Sequence, residues 1–147
     1  MIRPIYQTII DPERGDCERA CVASLLGLPI GDVPNFADPE VRCRFDMWLP
    51  EWLRARGYGV IEPKTASGAD GYSWLGLERL VAIATVPSQR FPGGKHAILV
   101  GWRAHPVHDG ALECYVVHDP NPGNAPYEHV ERVTERLRWV VPHMVAP

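Results

Sequence analysis

His96-Ala97-Ile98-Leu99-Val100-Gly101-Trp102 is an apolar run of strand length with no polar face, the pattern of a strand covered on both sides. Upstream, Leu80-Val81-Ala82-Ile83-Ala84-Thr85-Val86 repeats the pattern and is ended by Pro87, which predicts a central strand beside it. Downstream, residues 113–118 predict a further strand. Asp119-Pro120-Asn121-Pro122-Gly123 must turn away, because two prolines and a glycine cannot continue a ladder. Residues 58–61 predict a short strand and residues 137–141 a closing one.

The helical signals lie mostly outside this strand-rich half. Ala20, Cys21, Val22, Leu25 and Leu26 give residues 16–26 the spacing of a buried helix, with Asp16 as N-cap and Gly27 and Pro29 as its stop. A second helix is expected over residues 46–56, divided or restarted by Pro50 and stopped by Gly57. A short one is expected over residues 74–80, and helix-forming residues continue over 127–136. Residues 29–36 are too rich in turn formers to be regular, and residues 64–72 read as a polar loop able to border a cleft. With 15 prolines and 13 glycines cutting the chain into short elements, the expectation is an α+β fold in which an N-terminal helix packs on a mostly antiparallel sheet.

The 147 residues, 46% hydrophobic and 22% charged, suit one domain over residues 1–147 with a single core. The net charge is −3, and the 15 Lys and Arg residues are scattered among acids; this argues against nucleic-acid binding. The segment Met1 to Gln7 lacks a signal-peptide core, and no stretch reaches the length of a membrane span. No membrane partner and a cytoplasmic location, in a bacterium or in a host cell if the protein is viral, are the expectations. Cys17, Cys21, Cys43 and Cys114 form neither a CxxC pair nor a zinc-site spacing, so no metal, no cofactor and no disulfide framework are expected. Most of these thiols should be small buried groups.

Cys17 differs from the other three in its position. It follows Gly15-Asp16 and opens the first helix, where unpaired backbone N–H groups and the positive end of the helix dipole favour a thiolate. The bland alternative is a small residue that merely starts a helix, so a partner must decide. His96 stands after Gly93-Gly94 at the edge of an apolar strand, free to face a cleft. If Trp102 pairs with Glu113 across the hairpin, the antiparallel register sets His96 opposite Asp119, whose carboxylate can orient the imidazole. The ten-residue connection leaves that register open, and a one-residue slip would break the pairing. Of the other histidines, His105 and His108 lie in a hairpin loop, His129 and His143 have no readable carboxylate, and His118 should face away. For a developing oxyanion, the Cys17 N–H is one donor and the Gln7 amide a candidate second. The alternative for Gln7 is a solvated terminal residue.

Gly15-Asp16-Cys17, then Ala20-Cys21-Val22-Ala23-Ser24-Leu25-Leu26, Lys95-His96-Ala97-Ile98-Leu99-Val100-Gly101 and Val117-His118-Asp119-Pro120, taken in order, resemble the papain-like cysteine peptidase superfamily. The nearest likeness is to C39-like peptidases and small bacterial or phage proteins related to them. The resemblance implies a thiol protease with Cys17 as nucleophile, His96 as base, Asp119 as orienting acid and Gln7 as oxyanion donor. In papain-like enzymes the usual spacing of that glutamine falls here on Asp11, so Gln7 implies a longer loop. Neither leader-peptide specificity nor export is implied, since no transporter segment is present.

The expected function is therefore cleavage of an amide bond, peptide or isopeptide, in a peptide or protein substrate through an acyl-enzyme on Cys17. An amine in place of water would make the same site an acyltransferase. A catalytically silent binding module is the alternative of a different class. A metal-dependent hydrolase using Asp119, His118 and His96 is more distant, because no HExxH pattern supports it. Trp48, Trp52, Trp74 and Phe91 are candidates to line a cleft, although such aromatics more often pack in a core.

Overall fold

The computed structural model of the protein describes residues 2–45, 48–63 and 79–142. Helix α1 (Cys17–Leu26) is followed by a 3-10 turn (Ile30–Asp32), α2 (Pro39–Phe45), α3 (Leu49–Arg54) and β1 (Tyr58–Ile61). Then come β2 (Ala82–Pro87), β3 (Lys95–Ala104), β4 (Leu112–His118), α4 (Val130–Val133) and β5 (Arg136–Pro142). The strands form one five-stranded sheet of order β1-β5-β2-β3-β4, and every adjacent pair is antiparallel. The class is α+β. No helix among the described residues is long and apolar enough to cross a membrane.

The absence of alternation in β2 and β3 has its cause in two cores, one on each face of the sheet. Ile83, Ala97 and Leu99 pack with Cys21, Val22 and Ala23 of α1 and with Leu49, Trp52 and Leu53 of α3. Ala82, Ala84, Val86, Ile98 and Val100 point the other way, toward Val130 of α4, Leu137 and Trp139. Trp102 stacks on Trp139 with ring centroids 5.4 Å apart. A strand apolar at every position is thus a strand with cover on both sides.

Local chemistry explains the helix boundaries. Gly27 ends α1 in the left-handed region at φ 66°, and the N–H of Leu28 closes back on Ala23 O at 3.0 Å, a stop that favours glycine. Pro50 lies in the first turn of α3, where its missing N–H costs nothing; it starts that helix rather than dividing one. Helix α2 was not expected from the sequence. Over residues 127–136 only Val130–Val133 are helical, because Arg136 already belongs to β5 and His129 takes a positive φ of 49°. The loop expected at 64–72, most of the helix expected at 74–80, Trp74 and His143 lie outside the described residues.

Candidate active site

Cys17 is the first residue of α1, and the segment leading to it is tightly folded. The Gly15 N–H donates to Asp11 O at 3.1 Å, and a Cβ on Gly15 would stand 2.6 Å from that same oxygen, so only glycine fits. Asp16 does not cap α1 as expected: its side chain makes no capping hydrogen bond. The carboxylate is fully buried and is spent on the N-terminal arm. It accepts from Thr8 N and Ile9 N, each at 2.8 Å, and from Thr8 Oγ1 at 2.7 Å. With no side-chain cap, the first N–H groups of α1 have no partner among the described residues and stand open beside Cys17.

His96 enters from the adjacent edge of β3. The backbone N–H of Ala97 donates to Cys17 Sγ at 3.4 Å, bringing the helix start and the strand start into contact. His96 Nε2 meets Asp119 Oδ1 at 2.7 Å, and the Cys17 side chain is near enough to favour the charged imidazole. A carboxylate only accepts, so Nε2 carries a proton and Nδ1 is the ring nitrogen left to serve Cys17.

The register that joins His96 to Asp119 differs from the expected one. Trp102 pairs with Cys114, not Glu113, which pairs with Arg103. Taken alone, that one-residue offset would turn Asp119 to the wrong face. A bulge between Leu99 and Val100 adds a second residue, so that Leu99 lies opposite His118. Two residues of offset restore the face. Asp119 lies beyond the end of the ladder and reaches His96 diagonally.

The turn after β4 holds Asp119 from both sides. The Asn121 N–H donates to Oδ1 at 2.8 Å, and Asn124 Nδ2 donates to Oδ2 at 3.0 Å. Asn121 Oδ1 in turn accepts from Gly123 N at 3.0 Å. Asn121 and Asn124 were not singled out from the sequence, although an Asn-Pro-Gly-Asn turn is the kind in which asparagine side chains bond nearby backbone. The buried role of Asp16 had no comparable signal.

Charge follows from this geometry. Burial, the largest single influence on His96, pushes its pKa down, but the hydrogen bond to Asp119, the nearby Cys17 side chain and the charges of both outweigh it and raise the value to about 9. Burial likewise pushes the Asp119 pKa up, and the bonds from His96, Asn121 and Asn124 reverse this, leaving it below the ordinary value. The pair is therefore imidazolium and carboxylate at neutral pH. Cys21 is fully buried and its thiol is pushed well up. Burial and Glu131 raise Cys114 to about 12. Both are packing groups.

Gln7 lies in the same cleft, which Asp11, Cys17, Phe91, His96 and Asn124 also line. Its backbone N–H donates to Pro120 O at 3.0 Å, tying the arm to the turn after β4. The side-chain Nε2 donates to Ile9 O at 3.1 Å; among the described residues its second amide hydrogen has no acceptor and the buried Oε1 no partner. Of the aromatics, Phe91 lines the cleft, Trp52 is core, and Trp48 is exposed and borders a different cavity. His118 turns its ring to Ile5 O at 2.8 Å and packs edge-on against Tyr6, away from His96. His105 Nδ1 accepts from the N–H groups of Val107 and His108.

Comparison with protein-family models, with curated proteins and with solved structures finds no match to this chain. Any functional reading stands on the residues themselves.

Proposed function

We propose that the protein is a papain-like cysteine hydrolase that cleaves an amide bond through an acyl-enzyme on Cys17. One observation carries this reading: a helix-start cysteine whose sulfur meets the N–H of the residue after His96 at 3.4 Å and a carboxylate at 2.7 Å from His96 stand together, with both carboxylate oxygens engaged. A packing cysteine has no need of such neighbours.

In the first step the Cys17 thiolate attacks the carbonyl carbon and a C–S bond forms. The oxyanion is met by the open N–H of Cys17 and by the Gln7 amide. The His96 imidazolium then gives its Nδ1 proton to the departing amine as the C–N bond breaks. In the second step water attacks the thioester, His96 takes its proton, and the C–S bond breaks to release the acid and restore the thiolate–imidazolium pair. Asp119 holds the ring in orientation throughout and is not itself protonated. An amine in place of water would complete acyl transfer by the same steps. Four unbridged cysteines suit a reducing, cytoplasmic setting.

The test is iodoacetamide labelling of the native protein across a range of pH, read by peptide mass spectrometry and compared with His96→Ala. Rapid labelling confined to Cys17 and slowed at least about tenfold in the variant supports catalysis. Slow or indiscriminate labelling, indifferent to His96, makes the silent binding module the better reading.

A further inference from the structure

The catalytic cleft encloses only about 30 Å³, room for about one water, whereas sites that hold a ligand by contact usually enclose about 300–1,000 Å³. Affinity for a substrate must come from another surface. A groove of about 730 Å³ runs along β4, and all seven residues of that strand line it. Residues of both alternating faces take part, so the floor is the edge of the strand and not one face of the sheet.

That edge carries free main-chain groups. β4 is the last strand of the sheet and pairs with β3 alone. The His105 N–H donates to Ala111 O at 2.9 Å, and bonded and non-bonded pairs alternate along an antiparallel ladder. Counted from that bond, Glu113 and Tyr115 turn their N–H and C=O toward β3, while Cys114 and Val116 turn theirs outward. Among the described residues no hydrogen bond meets this outward row. Nor does β4 carry the proline or lysine that commonly blunts an edge.

We propose that the β4 groove docks an extended segment of polypeptide, which adds to the sheet as a sixth strand and selects peptide and protein substrates for Cys17. The selection of substrates rests on the reading of Cys17 as nucleophile; the docking itself does not. Outward groups repeating every second residue match a peptide backbone, which offers donors and acceptors at that spacing. Tyr6, Tyr127, His129 and Val130 flank the edge, so side chains of the arm, the turn and α4 stand beside the open row, a setting that suits a lone strand better than the sheet of a second copy. Most charges in the groove are paired, Arg103 with Glu113 at 3.1 Å and Asp119 with His96 at 2.7 Å, which favours a segment of low net charge rich in aromatic and β-branched residues. Asn121 and Asn124 line both this groove and the catalytic cleft, so a strand seated on β4 runs up to the turn that holds Asp119.

The test selects short random peptides from a display library against the Cys17→Ala protein. The expected result is that bound peptides slow amide exchange at Cys114 and Val116. Each N-methyl group on the alternate peptide residues that face β4 should weaken binding about tenfold, with little effect at intervening residues. In the protein, Val116→Pro removes an outward N–H and no bond to β3. It should weaken binding about tenfold, while Val116→Ala keeps it and neither change alters labelling of an intact Cys17. Failure to select any peptide, protection at Phe91 or at Trp48 instead, or indifference to the position of N-methylation would overturn the proposal. If peptides fail and His96-dependent labelling persists, the docking site alone is wrong. If labelling fails and peptides bind, the catalytic reading alone is wrong and β4 remains a polypeptide-binding edge.

Discussion

His96 and Asp119 are hydrogen bonded at 2.7 Å although no ladder pair joins them, and β4 carries one extra residue, Val117, at the bulge opposite Leu99 and Val100. Deleting Val117 should close the bulge with Val100 still opposite Val116 and Leu99 still opposite His118, keeping Asp119 in phase with His96. Cys17 labelling should then keep its dependence on His96, as read by comparing the deletion with and without His96→Ala.

The ionised pair makes stability depend on pH in a definite direction. The pKa of His96 is raised from 6.5 to about 9, so its contribution is complete below about pH 6.5 and is lost as pH rises through about 9. Asp119 is shifted down; its contribution is present above the ordinary carboxylate range and is lost as pH falls through its lowered value. Urea unfolding between pH 6 and 10 should show a loss on the order of 2–3 kcal/mol in the wild type, largely absent in His96→Ala. An equal loss in both proteins would assign it elsewhere.

Asp16→Ala should strand the N–H groups of Thr8 and Ile9 that its carboxylate now satisfies. A cost of about 3 kcal/mol is expected, together with faster proteolysis of the arm that carries Gln7. Asp16→Asn keeps one acceptor and should fall between the two. Limited digestion followed by mass spectrometry of the first cuts distinguishes a loosened arm from general unfolding.

Gly15→Ala places a methyl group 2.6 Å from Asp11 O. The turn into α1 must open, at about 1–3 kcal/mol, and the sulfur of Cys17 must move relative to Ala97. The melting temperature and the labelling rate of Cys17 should both drop, whereas Gly31→Ala, which meets nothing within 4 Å, should leave both near wild type.

Asn124→Ala frees Oδ2 of Asp119 and allows the carboxylate to turn. Stability should fall by about 1 kcal/mol, and Cys17 labelling at neutral pH should slow severalfold. Restoration by Asn124→Gln is not expected, since the longer side chain overshoots a 3.0 Å bond.

What the sequence disclosed divides along physical lines. The runs in β2 and β3 were legible because cover on both faces leaves a continuous apolar signature, and α1 because Gly27 is a left-handed stop. Cys17 and His96 stood out because Cys17 begins α1 and His96 lies at the start of β3, where a side chain can face a cleft. The contact between His96 and Asp119 was foreseen from a register that is one residue off; a bulge has no composition of its own, and its compensation is visible only in the pairing. Asp16 was misjudged for a related reason. An aspartate before a helix has the propensity of a cap, and only the fold reveals that the arm competes for its oxygens and wins. Helix α2 and the brevity of α4 reflect tertiary context overriding weak local preference.

The two halves of the site are anchored with unequal permanence. His96 sits on β3, which is hydrogen bonded on both sides, to β2 and to β4, so its backbone is released only when the sheet itself comes apart. Gln7 rides on an arm fastened to the body by a few contacts, chiefly those of Asp16, Ser24, His118 and Pro120. Warming should therefore detach the Gln7 arm well before His96; under the proposed function this gives a temperature range in which Cys17 still labels rapidly but amide cleavage has ceased.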